Sequence, residues 1–464
     1  MTLIQRDVMQ RRAAAMQCGA ARPLLLILIA VLVVAGAYGL WIITGPGPMD
    51  FAAGKHAAAD NAGANATGVP AELAIASLVE RGRYLARAAD CEACHTTASG
   101  PVFAGGRAFT LPFGTLYSSN ITPDRETGIG AYTDAEFLRA LHQGIGRTGG
   151  RMYPAMPYAS YTYMSDADAL AIKAYLFSLP AVHAVPPANT LSFPFNQRWL
   201  MSFWSAFFNP NKRFQPNTER SAEWNRGAYL AEAMAHCGEC HTPRTLAFSL
   251  NNRSKYAGAK QAGWIAYNIT SDKQSGIGDW TAAELAHYLA QGHASGRGGA
   301  NGPMGEAVDL SLRYLTPGDT AALAAYVSSV PAVRSHDAPV RTSPAPASHA
   351  QGVTAAIDPR GKEIYEGACV GCHGWTGISP VVDYASLTGT RAINDPSATN
   401  VVQVVLNGSM AGDTQGDVNM PGFGHAYTDR EVAAVANYVT ARFGARASSV
   451  TAANVAQARR EVSK

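Results

Sequence analysis

Six of the seven cysteines fall into three copies of the pattern Cys-x-x-Cys-His. Two cysteines three residues apart on one turn can each form a thioether bond to a haem vinyl group, while the adjacent histidine ligates the iron from one face. The pattern therefore predicts three c-type haems (haem c). The covalent attachment sites are Cys91, Cys94, Cys237, Cys240, Cys369 and Cys372, and the first axial ligands are His95, His241 and His373.

Other uses of paired cysteines fit the sequence less well. A zinc site needs four ligands, from two Cys-x-x-Cys units or from one unit and two histidines. A thioredoxin-like redox pair does not need the following histidine and would not recur three times. Disulfides within Cys-x-x-Cys would be strained, and Cys18 is the one cysteine outside the motifs. Haem attachment is the interpretation we favour.

A sixth iron ligand must come from elsewhere in each repeat, and methionine in that position raises the reduction potential. In the second repeat, Met304 is the one methionine between the haem motif and the third repeat. A neighbouring proline and an irregular loop before the closing helix favour Met156, Met304 and Met420 as the ligands. The other candidates are Met152, Met164, Met410, His142, His293 and His425, and any of the methionines could instead fill a gap in the core.

The motifs lie in an internal triplicate. Each repeat opens on an Arg-Gly pair followed by a tyrosine, and the first two repeats also share Asn-Ile-Thr (120–122 and 268–270) and Gly-Ile-Gly (128–130 and 276–278). Helical stretches are predicted over 134–143 and 282–291. Ser165, Thr316 and Thr428, each with an acid three residues on, predict the start of a closing helix. The fold class predicted is mainly α, with three tandem helical domains.

The predicted domain organisation places a membrane segment before these three domains. Residues 23–43 carry no charge and follow four arginines, which predicts a transmembrane anchor with a cytoplasmic N-terminus; a cleaved signal ending at Ala35-Gly36-Ala37 is the alternative. The predicted segments are a cytoplasmic N-terminus (1–22), the anchor or signal (23–43), a linker (44–74), domain 1 (75–182), an aromatic-rich connector (183–220), domain 2 (221–333), a linker (334–356), domain 3 (357–446) and a flexible tail (447–464). The connector could pack between domains, or face the bilayer or a partner.

Composition excludes two broad classes of protein. The 464 residues include 37 Lys and Arg against 34 Asp and Glu, a net charge of +3, which argues against a nucleic-acid binder. A hydrophobic share of 47% is enough to build a core and argues against disorder.

On these residues the chain resembles the membrane-anchored three-haem cytochrome c subunits of bacterial periplasmic dehydrogenases, whose relatives serve alcohol, gluconate, sorbitol and aldehyde dehydrogenases. The most specific matches are residues 153–158 (Tyr-Pro-Ala-Met-Pro-Tyr), residues 120–123 (Asn-Ile-Thr-Pro) with 128–130 (Gly-Ile-Gly), and residues 240–244 (Cys-His-Thr-Pro-Arg). The resemblance covers about residues 75–445. It implies three cytochrome c-like domains in a protein of the inner membrane, with the bulk of the chain facing the periplasm. It also implies that the chain itself contributes no catalytic residue. It also implies that electrons come from a quinoprotein, flavoprotein or molybdopterin catalytic subunit and pass to ubiquinone or a terminal oxidase.

Two other functions stay open at this point. A self-sufficient, peroxidase-like haem enzyme would need one iron with an open sixth position, so one of the three methionines would not be a ligand. A soluble multi-haem shuttle would lack the anchor. We favour the electron-transfer subunit, because six-coordinate haems leave no iron site for a substrate.

Overall fold

The computed structural model describes residues 66–335, 358–409 and 418–462, together with residue 45 and residues 26–41 with gaps. Cys18, Met410 and most of the linker 334–356 lie outside these ranges. Among the described residues, we find no helix with both the length and the apolar character that crossing a bilayer requires. The described residues form a mainly helical structure with three small antiparallel hairpins.

Domain 1 is built around two crossing helices. Its elements are α1 (Leu78–Ala88), α2 (Cys91–His95), β1 (Ala108–Leu111), β2 (Gly114–Tyr117), α3 (Asp134–Gln143), α4 (Tyr158–Tyr161) and α5 (Asp166–Phe177). Strand β1 pairs antiparallel with β2, with Ala108 opposite Tyr117. The connector that follows contains α6 (Leu200–Phe208).

Domain 2 repeats this order and adds a π-helical turn, a second hairpin and a longer helix before the closing helix. Its elements are α7 (Ala222–Tyr229), a π-helical turn (Leu230–Met234), α8 (Gly238–His241), β3 (Ala259–Gln261), β4 (Trp264–Ala266), α9 (Ala282–Gln291), β5 (His293–Ala294), β6 (Gly298–Gly299), α10 (Pro303–Leu310) and α11 (Pro317–Ser328). The hairpin of β3 and β4 matches that of β1 and β2, whereas α10 has no eight-residue counterpart in domain 1.

Domain 3 lacks the matching hairpin within its described residues. Its elements are α12 (Pro359–Ile364), a π-helical turn (Tyr365–Cys369), α13 (Val370–His373), α14 (Arg391–Asn394), α15 (Thr399–Asn407), α16 (Asp429–Phe443) and α17 (Ala452–Val462). The structure differs here from the predicted flexible tail over 447–464. Val455 on α17 is fully buried, and Arg459 donates to the carboxylate of Asp429 at 2.6 Å.

In each domain the opening helix crosses the closing helix at the glycine of the shared Arg-Gly pair. A Cβ on that glycine would collide with a carbonyl oxygen of the closing helix, so the two backbones touch and no larger residue fits. The distance from such a Cβ to the carbonyl oxygen would be 1.9 Å for Gly82 and Ala171, 1.9 Å for Gly227 and Ala322, and 2.2 Å for Gly361 and Ala434. The repeat seen in the sequence is therefore a repeat of one helix crossing.

The closing helices begin where the sequence predicts. The side chains of Ser165, Thr316 and Thr428 each accept a hydrogen bond from the backbone N–H three residues on, and Thr428 forms a full capping box with Glu431. The predicted helices over 134–143 and 282–291 are confirmed as α3 and α9. These boundaries depend on local hydrogen bonds, which the sequence encodes directly.

The shared Asn-Ile-Thr and Gly-Ile-Gly motifs hold the loop after each hairpin in place. The asparagine of the first motif binds the segment that follows the closing helix, and the glycines of the second allow the loop to pack closely. In domain 1, Asn120 Nδ2 donates to the Val182 carbonyl at 2.8 Å; in domain 2, Asn268 Nδ2 donates to the Val333 carbonyl at 2.7 Å. A Cβ on Gly128 would lie 2.2 Å from a carbonyl oxygen, so the loop packs against itself. These motifs therefore stabilise the loop.

Domains 1 and 2 share one hydrophobic core, whereas domain 3 has its own. Two hydrogen bonds cross between the first two domains in a reciprocal manner. Tyr229 of domain 2 donates to Asp168 at the start of α5, and Tyr84 of domain 1 donates to Asp319 at the start of α11. Both tyrosines belong to the repeated opening motif. Each domain therefore uses its opening helix to bind the closing helix of the other.

Candidate haem sites

Each Cys-x-x-Cys-His motif ends in a short helix that presents its histidine in the same way. The Nδ1 atom of each ring is hydrogen-bonded to a backbone carbonyl farther along the same domain. The Nδ1–O distances are 2.7 Å for His95 and Ser119, 2.7 Å for His241 and Tyr267, and 2.6 Å for His373 and Ala385. A carbonyl accepts only from a protonated nitrogen, so Nδ1 carries the hydrogen and Nε2 keeps its lone pair. This is the arrangement that orients a histidine for binding a metal through Nε2.

Burial keeps these histidines in the form that can bind a metal. It lowers the pKa of His95, His241 and His373, while the hydrogen bond to the carbonyl acts in the opposite direction. The rings are therefore neutral at neutral pH, with Nε2 free to coordinate iron.

The paired cysteines do not have the properties of a redox-active dithiol. Burial raises the pKa of the Cys91 and Cys237 thiols to about 12, whereas reactive cysteines have a lowered pKa. The six motif cysteines form no disulfide with one another. Among the described residues, no group of three or more His, Cys, Asp or Glu converges in a way that could hold a metal ion. Of the chemistries considered for these motifs, the donor set fits haem.

The three predicted methionine ligands lie in different local structures. Met156 lies in the turn before α4 and packs against the shared core. Met304 also packs against that core, but it lies in the first turn of α10, so the prediction of an irregular loop was wrong there. Met420 pairs with Ser409 through an isolated antiparallel bridge. The roles of Met156, Met304 and Met420 as axial ligands stay predictions.

The competing candidates lie in varied environments. Met164 is 1% exposed and belongs to the shared core, which suits a packing residue. His142 is fully buried at the end of α3, and neither ring nitrogen has a hydrogen-bond partner among the described residues. His293 stacks against Tyr384 of domain 3, with ring centroids 4.3 Å apart, and His425 is exposed.

The first two haem motifs face each other across the interface of domains 1 and 2. Ser160, four residues after Met156, donates to Glu239 inside the second motif at 3.0 Å. In the opposite direction, Arg107 bridges the Ala93 carbonyl of the first motif to Glu306, two residues after Met304. The segment that follows each of these two predicted ligands is therefore linked by hydrogen bonds to the haem motif of the other domain, directly through Ser160 and by way of Arg107 for Glu306.

Domain 3 contacts domain 2 at the residues that hold the second haem histidine. Tyr267, whose carbonyl binds His241, has its hydroxyl 3.1 Å from Asp395 and its ring 5.5 Å from the Arg391 guanidinium. Arg391 also donates to the carbonyl of Asn268 at 2.9 Å and to that of Gly276. The positive charge of Arg391 contributes to the lowered pKa of His241, after burial. A charge from the third domain thus lies beside the second predicted iron site.

The sequence did not identify Arg391 or the reciprocal tyrosine–aspartate pairs. The tyrosines stood in a repeated motif and the aspartates at a predicted helix start, so their types were visible. Their partners lie 61 to 235 residues away, and no local pattern encodes such distances. For Arg391 we find no sequence signal, since it belongs to the divergent third repeat.

Known proteins with similar sequences include cytochrome subunits of dehydrogenases. The family model described as "Cytochrome C oxidase, cbb3-type, subunit III" matches residues 356–439, which form most of domain 3. The fructose dehydrogenase cytochrome subunit of Gluconobacter japonicus is 37% identical over 86% of this chain and 87% of its own length. The gluconate 2-dehydrogenase cytochrome c subunit of Pantoea cypripedii is 35% identical over 83% of this chain and 90% of its own length.

A further relative is longer. A nicotinate dehydrogenase subunit of Pseudomonas putida is 41% identical over 80% of this chain, but the match spans only 31% of that protein. The matches to the two cytochrome subunits run nearly end to end, and those proteins are electron-transfer subunits of dehydrogenase complexes and not catalytic ones. The chain belongs to the family of cytochrome c subunits that transfer electrons in dehydrogenase complexes.

Proposed function

We propose that the chain holds three c-type haems and relays electrons, on the periplasmic side of the inner membrane, from a dehydrogenase catalytic subunit to ubiquinone or a terminal oxidase. When bound, each haem supplies a one-electron Fe(III)/Fe(II) couple. The protein's own residues hold the haems in place, exclude water and set the potentials. The specific partner and acceptor are inferences from the family.

The observation that carries the proposal is the repetition of one histidine geometry. In all three domains the motif histidine has its Nδ1 bound to a backbone carbonyl, which leaves Nε2 for iron. Domain 3 has diverged in its other motifs and still retains this bond. A count of three haems is the simplest interpretation of three equivalent sites.

The haem count is tested by intact mass spectrometry of the mature holoprotein, with haem content measured from the absorbance of the reduced pyridine complex. We expect three haems per chain, and two in the variant Cys369→Ala/Cys372→Ala. A mature chain carrying two haems would refute the count of three, and an unchanged count in the double variant would exclude a haem on the third motif.

The direction of transfer is tested with the copurified complex. Adding the substrate of the catalytic subunit should reduce the haems, and a soluble ubiquinone analogue should then reoxidise them, both followed by rapid-mixing absorbance. If the haems stay oxidised after substrate is added, the chain does not accept electrons from that partner. If only a terminal oxidase reoxidises them, ubiquinone is excluded as the acceptor.

The proposed membrane location is supported by the apolar segment 23–43. The described apolar side chains between Leu26 and Val34 are about half to two-thirds exposed, so the rest of the protein does not cover them. With arginines on the preceding side, the segment would leave the three domains in the periplasm. N-terminal sequencing of the mature protein distinguishes a retained anchor from a signal cleaved near Ala37. Protease treatment of spheroplasts should degrade the domains if they face the periplasm.

A further inference from the structure

The connector helix α6 has one packed face and one open face. On the packed face, Trp204 Nε1 donates to the Ala247 carbonyl at 2.8 Å, and its ring meets that of Tyr158 edge-on at 5.8 Å. Ser205 is buried on the same side. The prediction that the connector packs between domains therefore holds for one face of α6, which lies between domains 1 and 2. The opposite face is the one that could meet a bilayer or a partner.

The open face is aromatic. Trp199, Phe203 and Phe207 are 59–60% exposed, and their spacing of four residues places them along one side of the helix. Residues 199–208 carry no charge. Leu246, next in the chain to the residue that accepts from Trp204, is a further apolar residue near α6 and is 84% exposed. Contiguous exposed apolar side chains of this size are rare on a protein surface that meets only water.

The apolar N-terminal segment reaches this patch. The Leu246 backbone N–H donates to the Tyr38 hydroxyl at 3.2 Å. The guanidinium of Arg253 lies 4.9 Å from the centre of the Trp41 ring and donates to the Trp41 carbonyl at 3.3 Å. The end of the segment proposed to enter the membrane thus lies next to the open face of α6. A bilayer that accepts residues 26–34 would have its surface at this level.

We propose that α6 lies on the bilayer surface, with Trp199, Phe203 and Phe207 in the boundary between headgroups and acyl chains. The inference rests on the proposed membrane location and adds a second contact beside the anchor. Tryptophan and tyrosine favour this boundary because their rings are apolar with one polar atom, and Trp199, Trp41 and Tyr38 supply such rings here. Lys212, which is exposed and follows the helix, can reach anionic headgroups. Continuity with the apolar segment favours lipid over a protein partner as the occupant.

The contact would fix how the protein is oriented. An anchor attached through one flexible point allows the domains to tilt, whereas an anchor and a surface helix together define a plane. A cavity of about 220 Å³ adjoins α6 and is lined by Trp41, Phe207 and Gly238 of the second haem motif. The second motif would therefore lie on the membrane side of the molecule.

The test uses the full-length holoprotein in vesicles of phosphatidylcholine and phosphatidylglycerol. In a Cys18→Ser background, Phe203→Cys carries a nitroxide spin label, because the motif cysteines are occupied by haem. Trp375→Cys, at an aromatic position 65% exposed in domain 3, is the matched control. We expect the label at 203 to be severalfold more accessible to oxygen, and severalfold less accessible to a water-soluble nickel chelate, than the control.

Equal nickel accessibility at the two positions would overturn the proposal. If the label at 203 is protected from both reagents only when the catalytic subunit is added, the surface binds protein and the lipid assignment is wrong. A label at Phe207→Cys provides a second measurement should the first variant fold poorly. Haem content and reducibility of the same samples report the relay separately, so a failure of either idea is recognised independently.

Discussion

Removing the hydroxyl of Tyr229 should destabilise the first two domains more than removing that of Tyr84, although the two tyrosines occupy equivalent positions. Asp168, which Tyr229 binds, is 3% exposed, and among the described residues its carboxylate also accepts from the backbone N–H of Gly68 at 2.8 Å. Asp319, which Tyr84 binds, also receives both arms of the Arg226 guanidinium, at 2.8 and 2.6 Å. Without Tyr84, Asp319 therefore keeps its ion pair with Arg226. Without Tyr229, Asp168 loses the shorter of its hydrogen bonds among the described residues.

The magnitudes follow from these partners. A hydrogen bond to a charged group contributes about 1.5–3 kcal/mol to stability. The loss lies at the upper end of this range when a buried carboxylate is left with too few hydrogen-bond donors. We expect Tyr229→Phe to lower the free energy of unfolding by about 3 kcal/mol and Tyr84→Phe by about 1.5 kcal/mol. Burial and the nearby aspartate raise the pKa of both tyrosines, so both hydroxyls remain protonated donors at neutral pH.

The assay is urea unfolding of the holoprotein, followed by circular dichroism in the haem absorption band. With a slope of about 3 kcal/mol/M, the midpoint should fall by about 1 M for Tyr229→Phe and by about half of that for Tyr84→Phe. The control is Tyr365→Phe in domain 3, whose hydroxyl binds Gly374 within its own domain. It should leave the transition of domains 1 and 2 unchanged. Equal effects of Tyr84→Phe and Tyr229→Phe would refute the role assigned to Arg226.

Three further predictions concern the haem sites and pH. Met304→Ala should lower the potential of the second haem and allow carbon monoxide to bind its iron, whereas Met164→Leu, in the core, should do neither; unchanged carbon monoxide binding would exclude Met304 as a ligand. Arg391→Gln should lower the potential of the second haem in a redox titration, because a positive charge beside it favours the reduced state, while Arg391→Lys should retain most of that potential; no shift in the glutamine variant would contradict the effect. Burial, and secondarily Arg213, lowers the pKa of His142 from 6.5 to about 4. Between those pH values the unfolded chain binds a proton that the folded chain does not, so stability should fall as the pH drops from 6.5 to 4 and should be unaffected above 6.5. His142→Leu should flatten this part of the curve of urea midpoint against pH, and an equally steep curve in the variant would show that other groups cause it.

Local features of the fold could be predicted, and features that depend on distant partners could not. The caps at Ser165, Thr316 and Thr428 are determined within four residues, and the structure confirms them. Helix α17 depends on burying Val455 and on binding Asp429 thirty residues back, so its polar composition was misleading. The first turn of α10 had a local signal that was overlooked, since Pro303 stands at a favoured first helical position.

The candidate haem sites show the same division. The cysteines and histidines could be identified because covalent attachment demands a fixed spacing of a few residues. The carbonyl that orients each histidine comes from 12 to 26 residues farther along, from positions that share no residue type: Ser119, Tyr267 and Ala385. Backbone atoms provide this contact, so the amino-acid sequence carries little trace of it.

The division into one shared core and one separate core has a consequence for how the protein can be taken apart. A cut between the first and second repeats would expose Tyr229, Asp168 and the apolar surface around them, so neither half should fold alone. If the chain were cut between residues 336 and 357, separating domain 3 from domain 2 would break mainly polar surface contacts, such as those of Arg391. The described residues therefore form a block of domains 1 and 2 and a third domain with a core of its own, which should fold when it is expressed separately.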